Sequence, residues 1–408
     1  MVSRDLLTGY RISAPSEEEM PEFIRLIEAA FGHEPHEEEI ERWGRTLEPE
    51  RMRWVSDGDV KVATAGAFSF RLTVPGNELP AAGVTVVGVL PSHRRRGILT
   101  QMMREQLDDV RSRDEPIAVL WASEASIYGR FGYGLATKMA KIEIDRDRAV
   151  FRERAEPVGA TRLVTLEQAA DVLPDVYERV RAETPGMFAR SRTWWQASTL
   201  ADPEHARQGA GPLFCAVLEL DGEADAYALY WLKGDWDEGV PKSALRIREV
   251  MATSPAALRE IWRFLFGVDL VGRVETWGLP PDYPLFLMVT EPRRLRMTLG
   301  DALWLRLVDL EGALAARTYA EGEPVSIEVS DSFCDWNEGI WRVPNAERTD
   351  EDPDLRLDVA DLGSAYLGGV SFAELAGAGL VEELREGAIE RADALFRTNV
   401  TPWCPEVF

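Results

Sequence analysis

The chain has 408 residues, more than one hydrophobic core usefully fills, so roughly two or three domains of ~100–200 residues are expected and we take three. Apolar residues make up 45% and charged residues 28% of the sequence, so each domain can bury a core without disulfides or metal, and disorder is not expected to dominate. A formal net charge of -24 excludes general nucleic-acid binding, which needs basic side chains against phosphate; it suits cationic small molecules, alongside the plainer reading of a soluble acidic surface.

Cys215, Cys334 and Cys404 are far apart and lack CxxC spacing. That suits a reducing compartment and excludes a thiolate zinc cluster. Met1-Val2-Ser3-Arg4-Asp5 leads into polar sequence, and no stretch approaches the ~18 apolar residues of a membrane span. A soluble cytoplasmic protein is expected, with unconventional secretion as the alternative.

Along the chain, Met20, Phe23, Ile24, Ile27 and Ala30 recur at helical spacing behind Ser16, with Glu17, Glu18 and Glu19 in the first turn, where the helix dipole favours anions. The acidic run from Glu34 to Glu39 opens a second helix that carries Ile40 and Trp43. Strands are expected at Met52–Ser56, Val60–Leu72 and Val84–Val89, then a basic loop, a helix with Leu99, Met102, Met103, Leu107 and Val110 on one face, and a buried strand over 116–122. Strand, loop, helix, strand is a βαβ unit with its two strands adjacent and parallel. The charged stretch around 145–160 marks a boundary, and the order partly repeats: strands near 213–220, 226–233 and 245–251, a helix near 255–266, and a strand near 273–277. There Ala252-Thr253-Ser254-Pro255-Ala256 stands where the first domain has arginines and glycine, so this second domain is expected to lack a phosphate site. A third unit begins near Pro292, with a helix near Gly300–Val308, strands near Val325–Val329, Gly339–Val343 and Leu355–Val359, and helices near Phe372–Leu375 and Gly387–Phe396. The expected divisions are 1–150, 151–291 and 292–408. The ending Thr401-Pro402-Trp403-Cys404-Pro405-Glu406-Val407-Phe408 is too aromatic and proline-rich for a disordered tail, so the terminus should be packed and its carboxylate held in a defined place.

The chemistry gathers around Arg94-Arg95-Arg96-Gly97. A helix opening after a glycine presents unpaired N–H groups and a positive dipole end, which together hold a pyrophosphate. Arg95, Arg96, Gly97, Ile98, Leu99 and Thr100 are placed to do so, and the arginines supply local positive charge in an anionic chain. Gly88, inside the preceding strand, reads as a bulge that frees backbone groups to pair with the amides of a pantetheine arm. Tyr128 follows the next parallel strand and can protonate or hydrogen-bond a departing thiolate. At unperturbed values, a phenol of pKa ~10 giving its proton to a thiol of ~8.5 runs ~2 kcal/mol uphill. An attacking amine of pKa ~10.4 must shed a proton at roughly 4–5 kcal/mol, so a base should be near: the Phe408 carboxylate, Glu124 or the His33/Glu34 region. The residue types alone do not choose among these. His33-Glu34-Pro35-His36 only superficially matches HExxH, since its histidines are three apart and a proline interrupts the helix.

Val87-Gly88-Val89, His93-Arg94-Arg95-Arg96-Gly97-Ile98-Leu99, Ala122-Ser123-Glu124 and Ile127-Tyr128-Gly129-Arg130-Phe131-Gly132-Tyr133-Gly134 closely resemble the enhanced intracellular survival (Eis) family of GNAT acetyltransferases over the whole chain. The resemblance implies an α+β fold: two tandem GNAT-like acetyltransferase domains, the first active and the second without a coenzyme site, followed by a sterol-carrier-protein-like α/β domain ending in Phe408. It further implies acetyl-CoA contacts at Val87, Gly88, Val89, Arg95 to Thr100, Ser123 and Glu124, with Tyr128 as general acid and the Phe408 carboxylate as general base. A homohexamer is implied, without metal, transferring acetyl directly to primary amines of aminoglycosides, polyamines or protein lysines. By position, His33, Glu34 and Trp43 belong to the amine pocket, where an acid and an aromatic grip a cation. A lipid or sterol carrier, or a non-catalytic acyl-CoA sensor, remains as an alternative reading.

Overall fold

The computed structural model describes residues 9–34, 36–152 and 156–408. The first stretch of chain forms β1 (Tyr10–Ser13), α1 (Met20–Phe31), α2 (Glu37–Gly44), β2 (Arg53–Asp57), β3 (Val60–Val74), β4 (Asn77–Val89), α3 (Ile98–Ser112), β5 (Ile117–Trp121), α4 (Ala125–Tyr128) and β6 (Gly134–Leu135). It continues with β7 (Lys138–Asp145), β8 (Ala160–Val164), α5 (Leu166–Arg181), α6 (Arg192–Trp194), β9 (Phe214–Leu220), β10 (Glu223–Lys233), β11 (Trp236–Asp237), β12 (Val240–Pro241), β13 (Ser243–Ala252), α7 (Pro255–Gly267), β14 (Val271–Leu279), α8 (Leu285–Met288) and β15 (Thr298–Asp301). The last stretch holds β16 (Leu303–Leu307), α9 (Leu310–Ala316), β17 (Val325–Ser330), β18 (Gly339–Val343), β19 (Glu347–Thr349), β20 (Leu355–Asp358), α10 (Val359–Tyr366), α11 (Phe372–Gly377), β21 (Val381–Glu383) and α12 (Ala388–Phe396).

One compact unit takes the chain up to Thr137, then Leu303–Asn399 and Val407–Phe408. Its larger sheet runs β1-β2-β3-β4-β5-β16-β6, and a second one runs β19-β18-β17-β20-β21. The βαβ expectation holds: β4 and β5 pair in parallel at Ala81↔Ile117 through Gly83↔Val119, with α3 between them in sequence. Helix α3 buries Met102, Met103, Leu107 and Val110, each contributing on the order of 1.5–3 kcal/mol relative to exposure. Ahead of α1, the side chains of Ser16 and Glu19 form a capping box, but Glu17–Glu19 is a 3-10 turn and the α-helix proper begins at Met20, next to Pro21.

The expected helix near Gly300–Val308 is absent. This stretch is instead β15 and β16, the latter inserted antiparallel between β5 and β6. Leu303, Leu305 and Leu307 alternate into the core, whereas Arg306 on the other face is equally buried because it has an ionic partner. Burial on both faces erased the period-2 pattern that would have marked a strand. Helix α10 approaches β16 and β6 too closely for side chains: a Cβ on Gly134 would lie 1.7 Å from the Ala360 carbonyl oxygen, and one on Gly363 2.6 Å from that of Leu305.

The other unit is Lys138–Ala302 with Val400–Glu406, built on the sheet β15-β7-β14-β13-β10-β9-β8. Parallel β13 and β14 with α7 between them repeat the β4-α3-β5 arrangement. The tail is packed here as its composition implied: Trp403 and Cys404 are buried, and the Trp403 indole donates to the Gly278 carbonyl at 2.8 Å. Glu406 pairs with the buried Arg190, which also holds Glu249. Cys215, Cys334 and Cys404 are all buried, so none is an exposed thiol. Among the described residues, no helix is long and apolar enough to cross a membrane.

Candidate active site

Strands β4 and β5 pair only as far as Gly83↔Val119. Beyond that point β4 continues to Val89 without β5 beside it, so its backbone on that side faces a cleft. On the other side β4 keeps its ladder with β3, but with one irregularity. The shift lies between Thr64 and Gly66, opposite Val86, whose φ of 50° is a strained value for a β-branched residue. The Thr64 hydroxyl donates to the Val86 carbonyl at 2.7 Å and holds it there. The bulge expected at Gly88 therefore sits at Val86, two residues earlier. Gly88 stays in the ladder opposite Thr64, and its own role is close packing: a Cβ there would lie 2.9 Å from that of Ala30.

Past Val89 the basic loop turns back. Arg94 donates from Nε to the Val89 carbonyl at 3.0 Å, Arg95 adopts a left-handed φ of 63°, and Gly97 caps α3 at φ 85°. The Gln101 amide already bonds the Gly97 carbonyl, while the amides of Ile98, Leu99 and Thr100 open the helix without intrahelical partners. The arginines divide their roles. Arg96 is tied to the Tyr10 hydroxyl and the Ser92 carbonyl, both at 3.0 Å, and does not line the cleft. Arg95 lines it.

A cavity of about 650 Å³ runs from this loop to Tyr128. It brings together Val87, Gly88, Val89, Arg95, Gly97, Ile98, Leu99, Thr100, Ser123, Glu124 and Tyr128, so of the coenzyme-contact residues only Arg96 falls outside the lining. It also includes residues that the sequence did not mark as site residues: Ala30 and Phe31 at the end of α1, and Arg130 in the turn directly after Tyr128. The spacing of α1 marks Ala30 only as a core residue, and nothing in its own sequence ties it to a loop some sixty residues away. Tyr128 is buried, and burial, reinforced by the negative charge of Glu124, pushes its phenol up to about 12.

The remaining expected residues lie elsewhere. His33 and Glu34 are exposed just after α1, with His33 Nδ1 3.4 Å from Glu28. Pro35 lies outside the described residues. Trp43 donates its indole N–H to Glu39 at 3.0 Å on α2. Phe408 is not in the cleft lining; its ring packs edge-on against Phe70, centroids 4.9 Å apart. Phe70 in turn covers Gly83, where a Cβ would lie 2.1 Å from the ring. Gly83 is the residue at which β4–β5 pairing ends, and its neighbours Ala82 and Val84 pack in one apolar cluster with Tyr128.

These groups fit a coenzyme A thioester. Free amides at a helix start and Arg95 suit a pyrophosphate, and unpaired β4 backbone suits an amide-bearing arm. Residues 11–136 match the family described as acetyltransferase (GNAT) domain, residues 186–307 match a second family of the same description, and residues 310–405 match a sterol carrier protein domain. An uncharacterized N-acetyltransferase of Streptomyces avermitilis is 44% identical, covering 94% of this chain and 95% of its own. N-acetyltransferase Eis of Mycobacterium tuberculosis is 34% identical, covering 95% of this chain and 97% of its own. The solved structure of Eis1 from Mycobacterium abscessus is similar with a TM-score of 0.83 and 35% identity, covering 98% of this chain and 100% of that one. GNAT acetyltransferases use acetyl-CoA, for which the cleft above is suited. With relatives of this kind aligned from end to end, the chain belongs to the Eis family of GNAT N-acetyltransferases.

Proposed function

We propose that the enzyme transfers acetyl from acetyl-CoA to primary amines of cationic substrates, namely aminoglycosides, polyamines or lysine side chains, by direct attack. One observation carries this reading: a single cleft joins the Gly97-capped start of α3 to the buried phenol of Tyr128. Acetyl-CoA supplies an activated acetyl thioester. Val87 to Val89 and the N-terminal turn of α3 hold and orient it, with Arg95 on the pyrophosphate and Ser123 and Glu124 also in the lining.

Tyr128 stands at the sulfur as proton donor. A phenol pushed up to about 12 is protonated at neutral pH, but against a thiol near 8.5 the full transfer runs about 5 kcal/mol uphill. Tyr128 therefore serves first as a hydrogen bond to the sulfur and yields its proton as charge develops there. The Phe408 carboxylate takes the proton of the amine. Support comes from the packed tail and from the Phe408 ring on Phe70, which covers Gly83, where β4–β5 pairing ends four residues before β4 enters the cleft lining at Val87. His33 and Glu34, directly after a helix end that lines the cleft, and Trp43 on α2 form the amine-facing side.

We assign residues 1–150 to catalysis, 151–291 to a GNAT-like domain without a coenzyme site, and 292–408 to delivery of the carboxylate. In favour of the second assignment, the start of α7 offers fewer free donors than that of α3: Ser254 accepts from the Ala257 amide, and Pro255 has no N–H. The working enzyme is proposed to be a cytoplasmic homohexamer, testable by sedimentation. The direct check of coenzyme binding is isothermal titration with acetyl-CoA. Saturable binding that Arg95→Ala weakens about 10-fold supports the reading, since a charge-assisted hydrogen bond contributes roughly 1.5–3 kcal/mol, and absence of binding refutes it.

A further inference from the structure

Tyr128 ends a four-residue helix and is followed by the 3-10 turn Gly129–Phe131. Segments this short have too few internal hydrogen bonds to hold a side chain in place, so packing must do so. The turn closes with the Gly132 amide on the Gly129 carbonyl at 2.9 Å and the Tyr133 amide on the Tyr128 carbonyl at 3.3 Å. The fully buried ring of Tyr133 meets that of Tyr128 edge-on, centroids 6.0 Å apart.

On its other side the turn meets Arg306, which comes from β16, more than 170 residues further along the chain. Arg306 is completely buried. Its Nη1 lies 3.5 Å from the Gly132 carbonyl and occupies the space a Gly132 side chain would need: a Cβ would fall 1.7 Å away. Its charge also acts on the Tyr133 phenol. Asp331 holds the guanidinium and is itself fixed by the amides of Phe333 and Cys334, at 3.3 and 2.9 Å, and by Asn337 Nδ2 at 3.0 Å. Burying such a pair costs several kcal/mol per ion, so its net contribution to stability is small. What it does supply is a rigid guanidinium at the back of the Tyr128 turn.

We infer that Arg306, held by Asp331, is a positioning residue for Tyr128, fixing the phenol at the reacting sulfur through Gly132 and Tyr133. The inference rests on the reading of Tyr128 as proton donor. Displacement of a catalytic group by about 1 Å can cost on the order of 100-fold in rate, so a guanidinium far from substrate can control turnover.

A double-mutant cycle in kcat tests this, with acetyl-CoA affinity measured alongside. Arg306→Lys keeps the charge but cannot reach Asp331 and Gly132 together. It is expected to lower kcat at least about 10-fold, with affinity within about twofold, in the otherwise unchanged enzyme, and to lower kcat less than about twofold when Tyr128→Phe is already present. Equal losses in both backgrounds, or no loss in the first, would overturn the inference. Tyr128→Phe that is silent by itself would refute the reading of Tyr128 instead, whatever Arg306→Lys does. Should Arg306→Lys not fold, Asp331→Asn, which still accepts from the Phe333 and Cys334 amides, runs through the same cycle with the same expectations.

Discussion

Burial and the nearby Glu124 charge keep Tyr128 protonated, yet the same shift weakens it as an acid. Its hydroxyl should matter only once charge appears on the sulfur, so Tyr128→Phe should lower kcat by about 100-fold while leaving the acetyl-CoA dissociation constant within about twofold. Single-turnover rates alongside calorimetry would separate the two effects. The arginines differ in a similarly checkable way. Arg95 lines the cleft, whereas Arg96 is engaged by Tyr10 and Ser92. Arg95→Ala should therefore weaken acetyl-CoA binding by about 10-fold and Arg96→Ala by less than about threefold, apart from any loss of stability. A sequence of three consecutive arginines carries no sign of that division, because it is set by Tyr10, a residue more than eighty positions earlier.

At the scale of elements, two glycines do different work. A Cβ at Gly97 meets nothing within 4 Å, so Gly97→Ala should cost only the strain of a left-handed residue, about 1–2 kcal/mol, read as a lower melting temperature and weaker coenzyme binding. At Gly88 the backbone is ordinary strand but a Cβ would press on Ala30. Gly88→Ala should therefore push α1 away from the cleft and raise KM for acetyl-CoA with little change in melting temperature. The β4-α3-β5 unit was legible because α3 repeats every three to four residues and β5 is a continuous apolar run with turns on both sides. Strand β16 was not, since a buried arginine among leucines and a tryptophan imitates a helix. Strand β7, Lys138–Asp145, carries a period-2 alternation of charged and apolar residues but abuts the charged boundary around 145–160, and its place in the second sheet is set by pairing with β14 and β15, which lie far along the chain. The cleft walls from β4, α3 and the Tyr128 turn were readable as local motifs. Phe70 over Gly83 and Ala30 under Gly88 exist only through tertiary packing.

For the whole molecule, many tyrosines are buried, and their phenols are shifted upward by that burial. Tyr128 and Tyr230 are pushed up to about 12 from the ordinary 10, and Tyr177 and Tyr227 well above it. A folded state that holds these protons more tightly than the unfolded chain is fully stabilised below pH 10 and loses that stabilisation as pH rises through about 12. Unfolding should accordingly coincide with tyrosinate absorbance in an alkaline titration, rather than follow it. The packed terminus makes another whole-chain demand, since a peptide bond after Phe408 removes the carboxylate proposed as base. The most direct measurement is mass-spectrometric detection of acetylated product from acetyl-CoA and a panel of polyamine, aminoglycoside and lysine-peptide substrates, using the native chain, Tyr128→Phe, and a chain extended past Phe408. The expected result is a mass gain of one or more acetyl groups on at least one amine with the native chain, strongly reduced in both altered proteins. No acetylated amine from the native chain, or equal product from all three proteins, would contradict acetyl transfer through Tyr128 and the terminal carboxylate.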